Sequence, residues 1–233
     1  ITSGLLSRTL FNMNNFSNTH LAKYGFATPA RRKTTTFQLV DEKRLKSLVK
    51  DLNTADQDAL VKQSFSGKSG EIAWLSGDNL WIGWNGKHGL QSLGSLPFKL
   101  PGGFYRCESE LEEIDLIGWG LGSYQFDRYK KQDRSPSILM ISKSKKLQRA
   151  LEAIDSTYLA RDLINTPSQD MSPADFEKVT KQVAKQFSAK VSVIRGDTLL
   201  KSGCGAIHAV GLSLIHISEP TRLLSSSYSV LWF

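Results

Sequence analysis

Few side chains in this chain carry reactive chemistry, and their spacing decides what they can do. Paired carboxylates would be needed for general acid and base work. Asp162, Asp170 and Asp175 are instead spread over two helix ends, where bonding to backbone amides accounts for them. Asp127, Arg128 and Lys130 read as solvated charges at a surface helix end, where ion pairs contribute little. His208 lies in the apolar run Ala206–Val210, and a structural histidine is favoured there over a base or ligand. His216 has polar neighbours in Ser218 and Glu219, but it is not offered as a ligand because Leu212–Arg222 reads as translated adapter sequence. Cys107 and Cys204 lie far apart with no CxxC pattern. They imply neither a zinc site nor a disulfide framework, and burial as small apolar side chains is the expectation. A reducing, intracellular compartment follows. Gly118-Trp119-Gly120-Leu121-Gly122 superficially resembles a phosphate loop, but it lacks the following lysine and the preceding strand. Trp74, Trp81, Trp84 and Trp119 read as core or interface aromatics. No position is assigned as catalytic, cofactor-binding or metal-binding.

The elements that would position such residues begin at Thr34. Thr34–Val40 is β-branched and predicts a strand, and Leu45, Leu48, Val49 and Leu52 have helical spacing. Thr54 is positioned to cap a second short helix through Leu60 and Val61. Glu71–Ser76 and Leu80–Asn85 flank Gly77-Asp78-Asn79, a hairpin signal. Pro97, Pro101, Gly102 and Gly103 punctuate a loop. Ile114, Ile117, Leu121 and Tyr124 mark a helix whose glycines, 118, 120 and 122, weaken it but permit close packing. Ser137–Ile141 predicts a short strand. Strands and helices mixed through 34–145 predict one small α/β domain.

A longer helix follows, with Leu147, Leu151, Ile154 and Tyr158 on one face, ending near Asn165 because Pro167 restricts Thr166. Lys143, Lys145 and Lys146 read as its solvated start. Ser172, Pro173 and Asp175 mark the next helix start, and Phe176, Val179, Val183 and Phe187 are its expected apolar stripe. Lys190–Arg195 predicts a strand, followed by a helical turn from Gly196-Asp197 through Leu200. Residues 146–211 thus predict the start of an α/β layer domain whose remaining strands are missing.

Three stretches carry a family resemblance: GLGSYQFDRYKK at Gly120–Lys131, YLARDLINTPSQDMSPADF at Tyr158–Phe176, and VSVIRGDTLLKSGCGAIHAVG at Val191–Gly211. In order and spacing they resemble the leucyl (cytosol) aminopeptidase family, in the variant with a compact amino-terminal domain. The resemblance implies a small macro-domain-like α/β domain over 34–145, a linker helix over 146–163, and the opening of the catalytic domain. It further implies peptide substrates, cytoplasmic location, homo-hexamer assembly and release of amino-terminal residues by water activated between two divalent ions, Mn or Zn. That chemistry needs hard carboxylate ligands around two ions about 3–4 Å apart. The family supplies them from a Lys- and Asp-bearing glycine-rich motif and from Asn-Thr-Asp-Ala-Glu-Gly-Arg. Neither occurs in this chain, so no ligand or catalytic role transfers to any position and the chain itself is expected to be inactive.

The 233 residues are 40% hydrophobic and 22% charged, with no apolar run long enough for a membrane span. The net charge of +8 is uneven: residues 1–33 hold five basic groups and no acid, whereas 34–211 hold 24 basic and 21 acidic residues. The core therefore lacks the basic stripe of a nucleic-acid binder. The alternative is a non-catalytic module, a macro-like binder of small ligands or nucleic acid. Residues 1–33 read as a disordered leader, with an organelle transit peptide as the other possibility. Residues 212–233 read as an artefactual tail, because Leu212–Arg222 is, residue for residue, the translation of a transposase-type sequencing adapter.

Overall fold

The computed structural model describes residues 18–209 and 228–231, and the chain divides into one compact unit that ends at Tyr158 and another that begins at Leu159. The first unit opens with α1 (Asn18–Ala22) and β1 (Phe26–Ala27), then β2 (Thr35–Val40), α2 (Glu42–Leu48) with a 3-10 turn at Val49–Asp51, and α3 (Thr54–Lys62). The hairpin β3 (Ile72–Trp74) and β4 (Asn79–Gly83) follows, then α4 (Leu90–Gly94), α5 (Leu96–Lys99), β5 (Phe104–Cys107), α6 (Glu113–Gly122), β6 (Ile138–Met140) and α7 (Lys145–Asn165). The strands form one six-stranded sheet in the order β1-β6-β5-β2-β4-β3, parallel throughout except for the edge strand β3. The expected small α/β domain is present.

Alternation along the central strands explains the layers. Phe37 and Leu39 of β2 and Leu80 and Ile82 of β4 point to one face, where they join a core with Leu93, Leu116, Trp119, Leu147, Leu151, Ile154 and Tyr158. Val40 and Trp81, one residue out of phase, point to the other face and pack with Leu60 and Ala73 beneath α2 and α3. A parallel sheet must be covered on both faces, and the period-two pattern assigns each helix its side. Trp119 is fully buried, stacks parallel to Phe37 with centroids 6.4 Å apart, and donates its indole N–H to Gly25 O at 2.8 Å.

Several sequence expectations need correction. The leader does not extend to residue 33: Leu21, Tyr24, Phe26 and Ala27 are buried, and β1 pairs with β6. A two-residue strand and a one-turn helix are too short to register as periodicity. Residues 1–17 lie outside the described residues, as does the adapter-like segment at 212–222. The loop at 97–103 sits among α4, α5 and the unpredicted strand β5, which lies in the sheet's interior between β2 and β6. The four residues of β5 have no alternation of their own, and its two neighbours recruit it. The cap of α3 is Asn53, whose side chain accepts the Asp56 N–H at 2.8 Å, rather than Thr54. The buried face of α6 is Leu116, Gly118, Trp119 and Gly120, while the predicted Ile114 is 37% exposed.

Edge strand β3 ends in a side-chain cap. The Gln63 amide donates to Trp74 O at 2.9 Å and accepts the Trp74 N–H at 2.8 Å.

In the second unit, α8 (Pro173–Gln186) starts with the predicted cap: Ser172 and Asp175 form a reciprocal capping box, with Pro173 in the first turn. Its buried face is Glu177, Val179, Thr180 and Ala184, whereas Phe176 and Phe187 of the expected stripe are exposed. Glu177 turns inward to pair with Arg195 and, at 2.6 Å, with Lys181. β7 (Ser192–Arg195) and α9 (Thr198–Lys201) follow as expected. One further strand, β8 (Tyr228–Leu231), pairs antiparallel with β7. No helix among the described residues is long and apolar enough to cross a membrane.

The glycines of α6 are a packing device. A Cβ at Gly118 would lie 2.3 Å from Leu90 O, and one at Gly122 would lie 1.9 Å from Gly94 O, so α4 and α6 touch through backbone. Gly118→Ala is expected to lower stability by about 3 kcal/mol through overpacking. Gly102→Ala, where a Cβ meets nothing within 4 Å, should leave stability nearly unchanged. Urea unfolding of the two variants checks this.

Candidate functional site

The carboxyl ends of β1, β5 and β6 converge on one cleft. Pro29 follows β1; Arg106, Cys107, Ser109, Glu110 and Leu111 end and follow β5; Met140, Ile141, Ser142 and Ser144 end and follow β6. The cleft measures about 840 Å³, with Leu116 of α6 and Leu139 at its apolar floor. Open parallel sheets bind ligands at this end because successive connections leave the strand tips uncovered there. The amino end of α7 closes one wall. Ser144 Oγ accepts the Leu147 N–H at 3.1 Å, and Lys146 donates to Leu111 O at 3.0 Å and pairs with Glu112 at 3.2 Å. Lys146 is therefore held in place, contrary to the expectation of a freely solvated helix start.

Polar groups in the wall are sorted by their partners. Ser109 Oγ accepts the Leu39 N–H at 3.0 Å, and its own hydroxyl is hydrogen-bonded to the Cys107 sulfur. Burial pushes the Cys107 thiol up to about 12, against the opposing pull of hydrogen bonds from Ser109. A thiol so placed stays protonated and is a poor nucleophile, in line with the expected bland burial. Arg106, on an exposed part of β5, has no ion-pair partner among the described residues.

A second constellation joins α4 to α6. Asp115 is fully buried; it accepts the Gly89 N–H at 3.0 Å and the Glu112 N–H at 2.9 Å, and also pairs with His88 Nδ1. One carboxylate thus caps two helix starts. The sequence reading missed it because the partners lie 26 and 27 residues apart, and local spacing carries no trace of the pairing.

The residues weighed from sequence do not come together. His208 Nε2 lies 3.2 Å from Asp197, an exposed partner, in keeping with a structural histidine. Asp175 caps its helix, Asp162 is buried within α7, and Arg128 lies over the Tyr129 ring. Trp81 and Trp119 are core residues, whereas Trp74 is 40% exposed. Among the described residues no three of His, Cys, Asp or Glu are grouped so as to hold a metal ion. The described residues do not fit a paired-metal centre.

Several carboxyls are held below their ordinary range. The Ser76 backbone N–H, with the Ser76 hydroxyl and Asn53, does this for Asp56. The Ser172 hydroxyl and Lys178 do it for Asp175, and Lys181 and Arg195 for Glu177. For Glu71 burial pulls upward, but bonds from Ser66, Lys68 and Gly67 outweigh it. A carboxyl depressed in the folded state adds stability above its unfolded value, and that contribution is lost as pH falls through the folded value. The thermal midpoint is therefore expected to be flat near neutrality and to fall below about pH 4. A midpoint unchanged down to about pH 2.5 would contradict these assignments.

Residues 36–142 match the M17 aminopeptidase N-terminal domain, and residues 158–230 match the catalytic domain of the cytosol aminopeptidase family. The second match runs through the segment that reads as an adapter translation. A probable cytosol aminopeptidase of Streptomyces avermitilis is 34% identical over 138 residues, which is 52% of this chain and 26% of that protein. One from Corynebacterium glutamicum is 28% identical over 123 residues, covering 47% of this chain and 25% of that protein. The chain thus spans about a quarter of the length of these relatives. Among solved structures, a cytosol aminopeptidase from Coxiella burnetii superposes with a TM-score of 0.65 at 26% identity, covering 75% of this chain and 40% of that one. A tomato leucine aminopeptidase shares the fold, with a TM-score of 0.58 at 18% identity, covering 80% of this chain and 47% of that one. With both domain types matched in sequence order, the chain belongs to the M17 cytosol aminopeptidase family and carries its amino-terminal domain and part of its catalytic domain.

Proposed function

We propose that these residues are part of a metal-dependent exopeptidase that releases amino-terminal residues from peptides. The observation that carries this reading is the ordered pair of family matches, amino-terminal domain at 36–142 and catalytic domain at 158–230. Two divalent ions, Mn or Zn, would activate the attacking water and polarise the scissile carbonyl. Their carboxylate ligands belong to motifs that this chain does not contain, so none of its residues is assigned a catalytic or metal-binding role. What the chain contributes is a folded amino-terminal domain, a connecting helix and the opening of the catalytic layer. Cytoplasmic location fits the names of the relatives. Assembly as a homo-hexamer comes from the family resemblance alone. The division into 34–145, 146–211 and an artefactual tail from 212 belongs to the same proposal, with the first boundary moved amino-terminal to β1.

Two measurements test it. The purified 233-residue chain is expected to release no product from a leucine amide, with or without added Mn or Zn. Metal-dependent turnover by this chain would overturn the assignment of its residues as non-catalytic. A genomic read across codon 211 is expected to leave the present sequence and continue into the Asn-Thr-Asp-Ala-Glu-Gly-Arg motif. An uninterrupted frame without that motif would sink the exopeptidase reading.

A further inference from the structure

We propose that the cleft at the carboxyl ends of β1, β5 and β6 binds a small organic anion, and that Arg106 engages its charged group. This does not rest on the exopeptidase reading, since the cleft lies wholly within the first compact unit and uses no residue matched to the catalytic domain.

Four observations converge. The volume, about 840 Å³, lies within the range that accommodates small molecules. The position, at the tips of three parallel strands, is where an α/β sheet leaves an opening with backbone and loop groups around it. The walls are mixed. Leu111, Leu116, Leu139, Met140 and Ile141 offer an apolar body contact, and the hydroxyl of Ser142 offers a donor. The fourth is charge. Two cations, Arg106 and Lys146, and one carboxylate, Glu110, line the cleft; Lys146 is paired with Glu112 at 3.2 Å and with Glu110 at 4.0 Å, whereas Arg106 has no ion pair among the described residues.

Those features select the ligand class. A guanidinium presents a planar fork that matches a carboxylate or a phosphate through two parallel hydrogen bonds. The amino end of the 21-residue helix α7, which forms the wall at Ser144, adds positive potential of the same sign. A cationic ligand would meet Arg106 unshielded, and a fully polar one would leave the leucine floor wet. An oxyanion attached to an apolar or aromatic body satisfies both walls. Cys107 takes no covalent part, because its thiol stays protonated.

The two sources of such an anion are separated by calorimetric titration of the full chain. One arm uses N-acetyl-leucine against its neutral amide, and the other uses adenosine monophosphate against adenosine. At least one anion is expected to bind saturably, with its neutral counterpart about tenfold weaker or worse. Binding in the first arm alone assigns the site to carboxylates, and binding in the second alone assigns it to phosphates. Arg106→Ala should weaken the bound anion at least about tenfold, and Arg106→Lys should recover part of the loss. The thermal midpoint reports that both variants fold, and replacing an exposed side chain should leave it unchanged. Amide shifts of Ser109, Ile141 and Ser142 in the parent should move with saturation. The proposal is overturned if neither anion binds in the millimolar range, if the neutral counterparts bind as well, or if Arg106→Ala binds like the parent.

Discussion

Everything in the amino-terminal domain depends on covering both faces of a mostly parallel sheet. Parallel strands cannot be joined by tight turns, and the returns from β4 to β5 and from β5 to β6 pass over a face and bring helices with them. The larger face here collects α4, α5, α6 and α7 over only a few strands, and that many helices fit only if some of them touch backbone to backbone. The glycines at 94, 118 and 122 meet that requirement, since the carbonyls of Leu90 and Gly94 stand where side chains would otherwise be. Asp115 then fixes the same pair of helices by bonding the backbone at Gly89 and at Glu112. Close approach and carboxylate bridge act on one junction, and the strand tips that frame the cleft are held relative to it.

Legibility in the sequence followed from how locally each feature is encoded. β2 and α7 were visible because six and 21 residues repeat a period long enough to detect. The Ser172 start of α8 was visible because a cap is a contact between neighbours three positions apart. β1 and β5 were not, because two and four residues carry no period, and they are strands only by virtue of the ladders beside them. The face of α8 was misjudged for a related reason. Periodicity treats Glu177 as a solvent-facing charge, and only the fold reveals that Arg195 and Lys181 neutralise it there.

Family membership was legible through three motif stretches, and the lack of the carboxylate motifs was legible in the same way, because both are matters of residue order. The cleft was not. Its walls come from positions near 29, 106–111, 116 and 139–146, and each of those residues is ordinary in its own segment. An unpaired arginine looks the same in a sequence as a paired one, and only the positions of Glu110 and Glu112 distinguish Arg106 from Lys146.

The amide of Gln63 has a consequence for how this sheet behaves in a crowded solution. Strand β3 is an outer strand, and its last residue, Trp74, turns its N–H and its carbonyl away from the sheet. Those two groups are the first that an incoming chain would grip when extending the sheet. Gln63 already holds both, so a foreign strand arriving there finds donor and acceptor taken. Runaway stacking of one molecule's sheet on the next is thus discouraged by an uncharged side chain, where other folds use a lysine or a proline.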